Sequence, residues 1–257
     1  MSRNVNEKSP TRWLPAFKEK PDARLRLFCF PYAGGNAASF RGWADAFPRS
    51  IQVLAVQLPG RGERLSEPTF KHLPDMVQVL GPALSPHFDK PFAFFGHSMG
   101  ALISFELTRW LRRTGGPMPV HLFVSGRRAP QLPDEEPVSY NLPEPEFIER
   151  LRKLNGTPQE VLNHPELMQL MAPLLRADFS VCETYQYENE PPLDIPITAF
   201  GGLEDFEVSR DKLEPWQAHT TASFSFHTFP GDHFFIHKSQ NDIIRIVNKK
   251  LPVQYAE

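Results

Sequence analysis

Two hydrophobic periods alternate along the chain. Short apolar runs at Leu25–Phe30, Ile51–Leu58, Phe92–Phe95, Val120–Ser125, Ile195–Phe200 and Ser223–Phe229 are too brief for helices and end at turn-forming residues, so each predicts a strand. Between them apolar residues recur at helical spacing: through Phe40, Trp43 and Phe47, over Leu73–Leu84, over Ala101–Leu111, and over Ile243–Leu251. Pro74 is tolerable because it falls in the first turn of its helix. Residues 1–22 read as frayed, with a short edge strand at Trp13-Leu14. No internal repeat is present.

Strand and helix alternate, and the central strands are apolar on both faces. That combination predicts an α/β fold with a mostly parallel sheet covered by helices on each side. The interval 127–194 breaks the alternation. It opens with the Pro-rich acidic run QLPDEEP and so leaves the sheet. Within it Phe147, Ile148, Leu151 and Leu154 share one helix face, and Leu167, Leu170, Met171, Leu174 and Leu175 share another, with Pro173 expected to kink or divide the second helix. The expectation is one domain over 1–257 with a helical lid inserted at 127–194.

Composition narrows the function classes. The chain has 257 residues, 40% hydrophobic and 23% charged, ordinary values for a soluble domain, and its formal charge of −2 gives no footprint for nucleic acid or an anionic membrane. The N-terminus MSRNVNEKSP has no apolar core of a secretory signal, and no segment is long and apolar enough to span a membrane. Cys29 and Cys182 read as reduced thiols, so a cytoplasmic setting is expected.

The chemistry enters at FFGHSMGA. Gly96-His97-Ser98-Met99-Gly100 fits G-x-S-x-G, a weak pattern alone, but an apolar strand precedes it and a helix follows. A sharp strand-to-helix turn projects the serine hydroxyl above the sheet edge and aims a helix N-terminus at developing negative charge. An ordinary turn with a capping serine is the bland alternative. A serine hydroxyl is a poor nucleophile at neutral pH and needs a base held by an acid. In this fold order the acid comes first and the histidine last. GGLED at 201–205 offers Glu204 or Asp205 at a strand end, and FPGDH at 229–233 offers His233 after the final strand. Asp232 adjoins His233, but neighbouring side chains rarely point at each other. His97 reads as structural, and His227 and His237 as bystanders. An oxyanion hole needs the backbone N–H of Met99 and a second donor from the turn Phe30-Pro-Tyr-Ala-Gly-Gly35, where Ala33 is best placed. That turn lacks the spacing of a dinucleotide fingerprint or a phosphate-binding loop. No metal-ligand cluster is evident either, so neither cofactor nor metal is expected.

With these residues in place, the chain resembles the type II thioesterases, stand-alone α/β-hydrolases that accompany polyketide synthases and nonribosomal peptide synthetases. The segments FCFPYAGGNAASF, VLAVQLPGRGERLSEP, FFGHSMGALISFEL, AFGGLEDFEVS and FPGDHFFI carry the likeness in order, from about Trp13 to Leu251. The resemblance implies an α/β-hydrolase fold with a flexible helical lid. It places the nucleophile on Ser98, the acid on Asp205 rather than Glu204, the base on His233, and the oxyanion donors on Ala33 and Met99. It implies hydrolysis of acyl groups held as phosphopantetheine thioesters on acyl or peptidyl carrier proteins, removing aberrant or misprimed units, by a monomer. Carrier proteins of this kind are acidic, so Arg61, Arg64, Arg127 and Arg128 become candidate docking cations. Three other readings compete: a medium-chain acyl-releasing thioesterase of a fatty acid synthase, an oxygen-ester hydrolase or acyltransferase, and a non-catalytic binding protein.

Overall fold

A computed structural model describes residues 10–15 and 19–251 of the chain. Six strands form one sheet: β1 (Leu25–Phe30), β2 (Ile51–Ala55), β3 (Phe92–His97), β4 (Leu122–Ser125), β5 (Ile197–Gly202) and β6 (Phe224–Phe229). All are parallel, in the order β2-β1-β3-β4-β5-β6. The helices are α1 (Pro10–Trp13), α2 (Arg41–Ala46), α3 (Leu73–Leu84), α4 (Met99–Thr114) and α5 (Glu144–Leu154), followed by α6 (Gln159–Leu162), α7 (Pro165–Glu183), α8 (Arg210–Leu213), α9 (Phe235–Lys238) and α10 (Gln240–Lys250).

Alternation along the strands builds two cores. Phe28, Phe30 and Phe94 face a core shared with Leu80 of α3 and Leu102 of α4. Leu27, Cys29 and Phe95 face the other, shared with Trp43 of α2 and Val247 of α10. A third cluster is formed by residues that fall between β4 and β5 in the sequence: Phe147, Leu151, Leu162, Met168 and Leu175, from α5, α6 and α7.

The order of the strands positions the site. From β1 the chain runs outward to β2, then returns to lay β3 on the other side of β1 and continues away from it. Loops leaving β1 and β3 therefore diverge, and a crevice opens at their C-terminal ends. There the Tyr32–Gly35 turn and Ser98 lie side by side, since Phe30 pairs with Gly96.

Several sequence expectations are corrected. Trp13 ends a helix rather than forming an edge strand, although its carbonyl still accepts from Gln57 N at 2.8 Å. The Arg64 guanidinium covers the Trp13 ring at 3.8 Å. The part of the predicted frayed segment at 1–9 and 16–18 lies outside the described residues. Strand β2 stops at Ala55, because beyond Val56, whose N–H still reaches Cys29 O, the chain turns off the sheet. Helix α4 begins two residues before the expected start and runs to Thr114, where Gly115 closes it at φ 66°. Pro173 does not divide α7, which continues through it; burial of Met168, Leu174 and Leu175 holds both sides. Of the face expected on this helix, Leu174 and Leu175 are buried and Met171 packs against the third cluster, but Leu167 and Leu170 are exposed, so the stripe is buried only in its C-terminal part.

Candidate active site

Ser98 sits between β3 and α4 at φ 53°, ψ −113°, a backbone that a residue with a side chain adopts at a cost of about 1–3 kcal/mol. Its surroundings leave no alternative. A Cβ on Gly96 would lie 2.1 Å from Gly100 O, and one on Gly100 would lie 2.0 Å from Phe30 O. Ser98 N is tied to Ser125 O on the neighbouring β4 at 2.7 Å. The turn is thus compressed between two strands, and the hydroxyl is left facing the crevice.

His233, in the turn after β6, places Nε2 3.0 Å from Ser98 Oγ. Its Nδ1 lies 2.7 Å from Asp205 Oδ2, in the turn after β5. The other oxygen, Asp205 Oδ1, accepts from the N–H groups of Glu207 and Val208 at 2.9 and 3.1 Å. With both oxygens held, the carboxylate cannot swing away from the ring. Glu204, the alternative acid, instead accepts from Gly231 N at the surface. Burial opposes a charge on the His233 ring, but the hydrogen bond and charge of Asp205, with the charge of Glu207, outweigh it and hold its pKa above the ordinary histidine value.

His97 is fully buried and binds on both sides. Its Nε2 lies 3.0 Å from His233 O and its Nδ1 2.9 Å from Ser125 Oγ. A carbonyl only accepts, so Nε2 carries the proton and Nδ1 accepts from the serine hydroxyl. Burial, then the nearby His233 and His237, push the His97 pKa well below the usual value, so the ring is neutral. It pins the backbone of His233 to β4. Sequence reading placed His97 as structural without finding Ser125, because a pairing across strands leaves no local spacing. His237 bonds Tyr32 Oη at 3.1 Å and His227 lies on β6, so neither joins the Ser98–His233–Asp205 chain.

Ser98, His233 and Ala33 open onto one cavity of about 280 Å³, whose apolar wall includes Met171, Leu175 and Phe179 of α7. Met99 N is the first N–H of α4, among the donors a helix leaves unpaired. Cys182 also lines the cavity, but burial pushes its thiol up to about 12, so it stays protonated and is no competing nucleophile. Arg127 and Arg128 reach the cavity, Arg128 paired with Asp134 at 2.6 Å. Arg61 and Arg64 do not serve as docking cations: both are buried, Arg61 against Asp178 and Arg64 against Glu67. Among the described residues no cluster of His, Cys, Asp and Glu is arranged to hold a metal ion, and no helix is long and apolar enough to cross a membrane.

The chain has relatives among known proteins. The family model for the thioesterase domain matches residues 25–251. The chain belongs to the thioesterase family. It is 48% identical to the Gramicidin S biosynthesis protein GrsT of Aneurinibacillus migulanus, over 95% of this chain and 96% of that protein. Identity is also 48% to a Brevibacillus parabrevis protein named linear gramicidin dehydrogenase LgrE, over 95% of this chain and 94% of that one. Among solved structures, the type II thioesterase BorB from the borrelidin biosynthetic cluster superposes with a TM-score of 0.85 at 34% identity, covering 93% of this chain and 98% of that one. The thioesterase sheet, its helices on both faces and the type II likeness expected from sequence are therefore borne out.

Proposed function

We propose that this thioesterase uses Ser98 as nucleophile, His233 as base and Asp205 as orienting acid to hydrolyse acyl groups from phosphopantetheine thioesters on carrier proteins, clearing aberrant or misprimed units from polyketide or nonribosomal peptide assembly. The observation that carries the reading is the continuous hydrogen-bonded path from Ser98 Oγ through the His233 ring to Asp205. Relatives named for gramicidin biosynthesis and the borrelidin cluster support the biosynthetic setting.

His233 Nε2 takes the Ser98 proton as Oγ attacks the thioester carbonyl, and the Asp205 carboxylate stabilises the imidazolium. The N–H groups of Met99 and Ala33 receive the oxyanion; one such donor is worth about 3–4 kcal/mol of barrier. Collapse breaks the C–S bond, and His233 passes the proton it took from Ser98 to the departing sulfur, so pantetheine leaves as the thiol and the ring is neutral again. Water then attacks the acyl-serine, giving up its proton to His233, and the free acid leaves with Ser98 restored. A thiol of pKa about 8.5 departs with little protonation, so the site can act on varied acyl groups without tight ground-state binding. The segment 127–194 acts as the lid, with α7 walling the acyl cavity. The enzyme works as a cytoplasmic monomer, and Arg127 and Arg128 meet the acidic carrier.

A fluorophosphonate probe tests the nucleophile. Labelling is expected at Ser98, with none in Ser98→Ala; folded wild type that takes no label would leave only a binding protein. Carrier proteins loaded with acetyl, propionyl, hexanoyl and decanoyl groups then separate editing from chain release. Release of short chains at rates comparable to long ones is expected. A strong medium-chain preference would move the protein to the fatty-acid-releasing role, and preference for an oxygen ester over its matched thioester would count against thioester hydrolysis.

A further inference from the structure

We infer that the buried pair Asp178–Arg61 is a positioning device for the oxyanion hole: a carboxylate from α7 of the inserted segment holds the turn that carries Ala33. The inference rests on the serine mechanism proposed above. Asp178 is fully buried and Arg61 is 4% exposed. The two are joined twice, Nη1 to Oδ2 and Nη2 to Oδ1, each at 2.7 Å. The pair could have been closed on itself, but it is not. Asp178 Oδ2 also accepts from Gly34 N at 2.7 Å, and Arg61 Nη1 also donates to Gly35 O at 3.1 Å. Both partners therefore grip the same turn, one by an N–H and one by a carbonyl.

The consequence for Ala33 follows from peptide geometry. Gly35 N donates to Tyr32 O at 2.9 Å, so that carbonyl points into the turn. The Tyr32–Ala33 peptide is trans, as are all described peptides, and its N–H points opposite to its carbonyl. The Ala33 N–H is thereby turned outward, and Ala33 shares the cavity wall with Ser98. Fixing Gly34 and Gly35 fixes the direction of the donor beside them. Leu175, one turn before Asp178 on α7, packs over the same spot: a Cβ on Gly34 would meet Leu175 Cδ2 at 2.6 Å.

Charge supports the same role. An unpaired carboxylate one peptide from the oxyanion would oppose the charge that forms there. Arg61, bound to both carboxylate oxygens, offsets it and leaves Asp178 as an acceptor that holds the turn. Replacing the pair by apolar side chains of similar volume is the change that a merely stabilising role tolerates. A donor aimed in advance stabilises the transition state more than the ground state, so loss of aim should lower kcat and leave KM nearly unchanged.

The test uses Asp178→Asn and the double variant Arg61→Met/Asp178→Leu, with an acyl N-acetylcysteamine thioester as substrate and hexylboronic acid as a tetrahedral mimic. Boron bonds to Ser98 Oγ, the serine proton passes to His233, and a boronate oxygen occupies the oxyanion hole. Asp178→Asn is expected to lower kcat about tenfold and the double variant about a hundredfold. KM should stay within twofold, and boronate affinity should fall by the same factors. Variants that fold by circular dichroism yet keep kcat within threefold of wild type would overturn the inference, as would loss of kcat without matching loss of boronate affinity. If the double variant does not fold, the near-isosteric Asp178→Asn decides alone. Ser98→Ala is assayed beside them. Activity persisting in Ser98→Ala would refute the serine mechanism itself; an inactive Ser98→Ala beside wild-type-like clamp variants would refute the clamp alone.

Discussion

Ser98 and His233 meet through one hydrogen bond, and in the proposed mechanism the proton on His233 decides whether that bond can serve catalysis. There the ring must be neutral to accept the Ser98 proton. Because Asp205 and Glu207 hold its pKa above the ordinary value against the opposing effect of burial, activity should fall as pH drops through that raised value. Asp205→Asn removes the main raising contribution. Its acid limb in kcat/KM should move to lower pH, and kcat should drop by roughly 10⁴, because the amide no longer favours the productive tautomer and the cation. A pH–rate profile of both proteins checks this; an unmoved limb would mean another group titrates. At this scale the sequence was legible where a motif is local. Gly96, Ser98 and Gly100 lie in one turn, and GGLED and FPGDH each follow a strand. The His97–Ser125 bond and the Asp178–Arg61 pair join residues far apart in sequence, and no spacing announces them.

Among the elements, α5, α6 and the first half of α7 stand apart because they bury their apolar faces mainly in their own small cluster. The end of α7 differs: Val181 packs in the main core, and Asp178 is bound to the turns after β1 and β2. Local opening should follow that division. Hydrogen exchange is expected to show amides of Glu144–Leu162 exchanging well before those of Phe92–His97 and α4, with the end of α7 protected. Uniform protection across all of them would contradict a lid that opens independently. Strands were read closely where apolar runs meet Pro or Gly, as in β1. The exposed Leu167 and Leu170 were misplaced because a helical stripe of leucines gives a period without saying which face meets the protein. Of the kink or division expected at Pro173, the division does not occur, because packing on both sides of the proline, a tertiary fact, keeps α7 continuous.

The whole molecule is organised by the reversal of strand order beside β1, which opens the crevice where the Tyr32–Gly35 turn and Ser98 meet. His233 reaches that crevice from the far edge strand β6, so the proposed mechanism depends on the sheet being intact from β1 to β6. The fold class was legible because parallel strands buried on both faces leave a plain apolar signature. The acyl group cleared was not, since a cavity wall contributed by Met171, Leu175 and Phe179 takes its shape from how α7 rests on the sheet. The most direct measurement is acyl release from an acetyl-phosphopantetheinyl carrier protein by wild type and Ser98→Ala at equal concentration. Wild type should liberate acetate and free pantetheine thiol in equal amounts, and Ser98→Ala should be slower by roughly 10⁴ or more. Equal release by the two proteins would contradict the account.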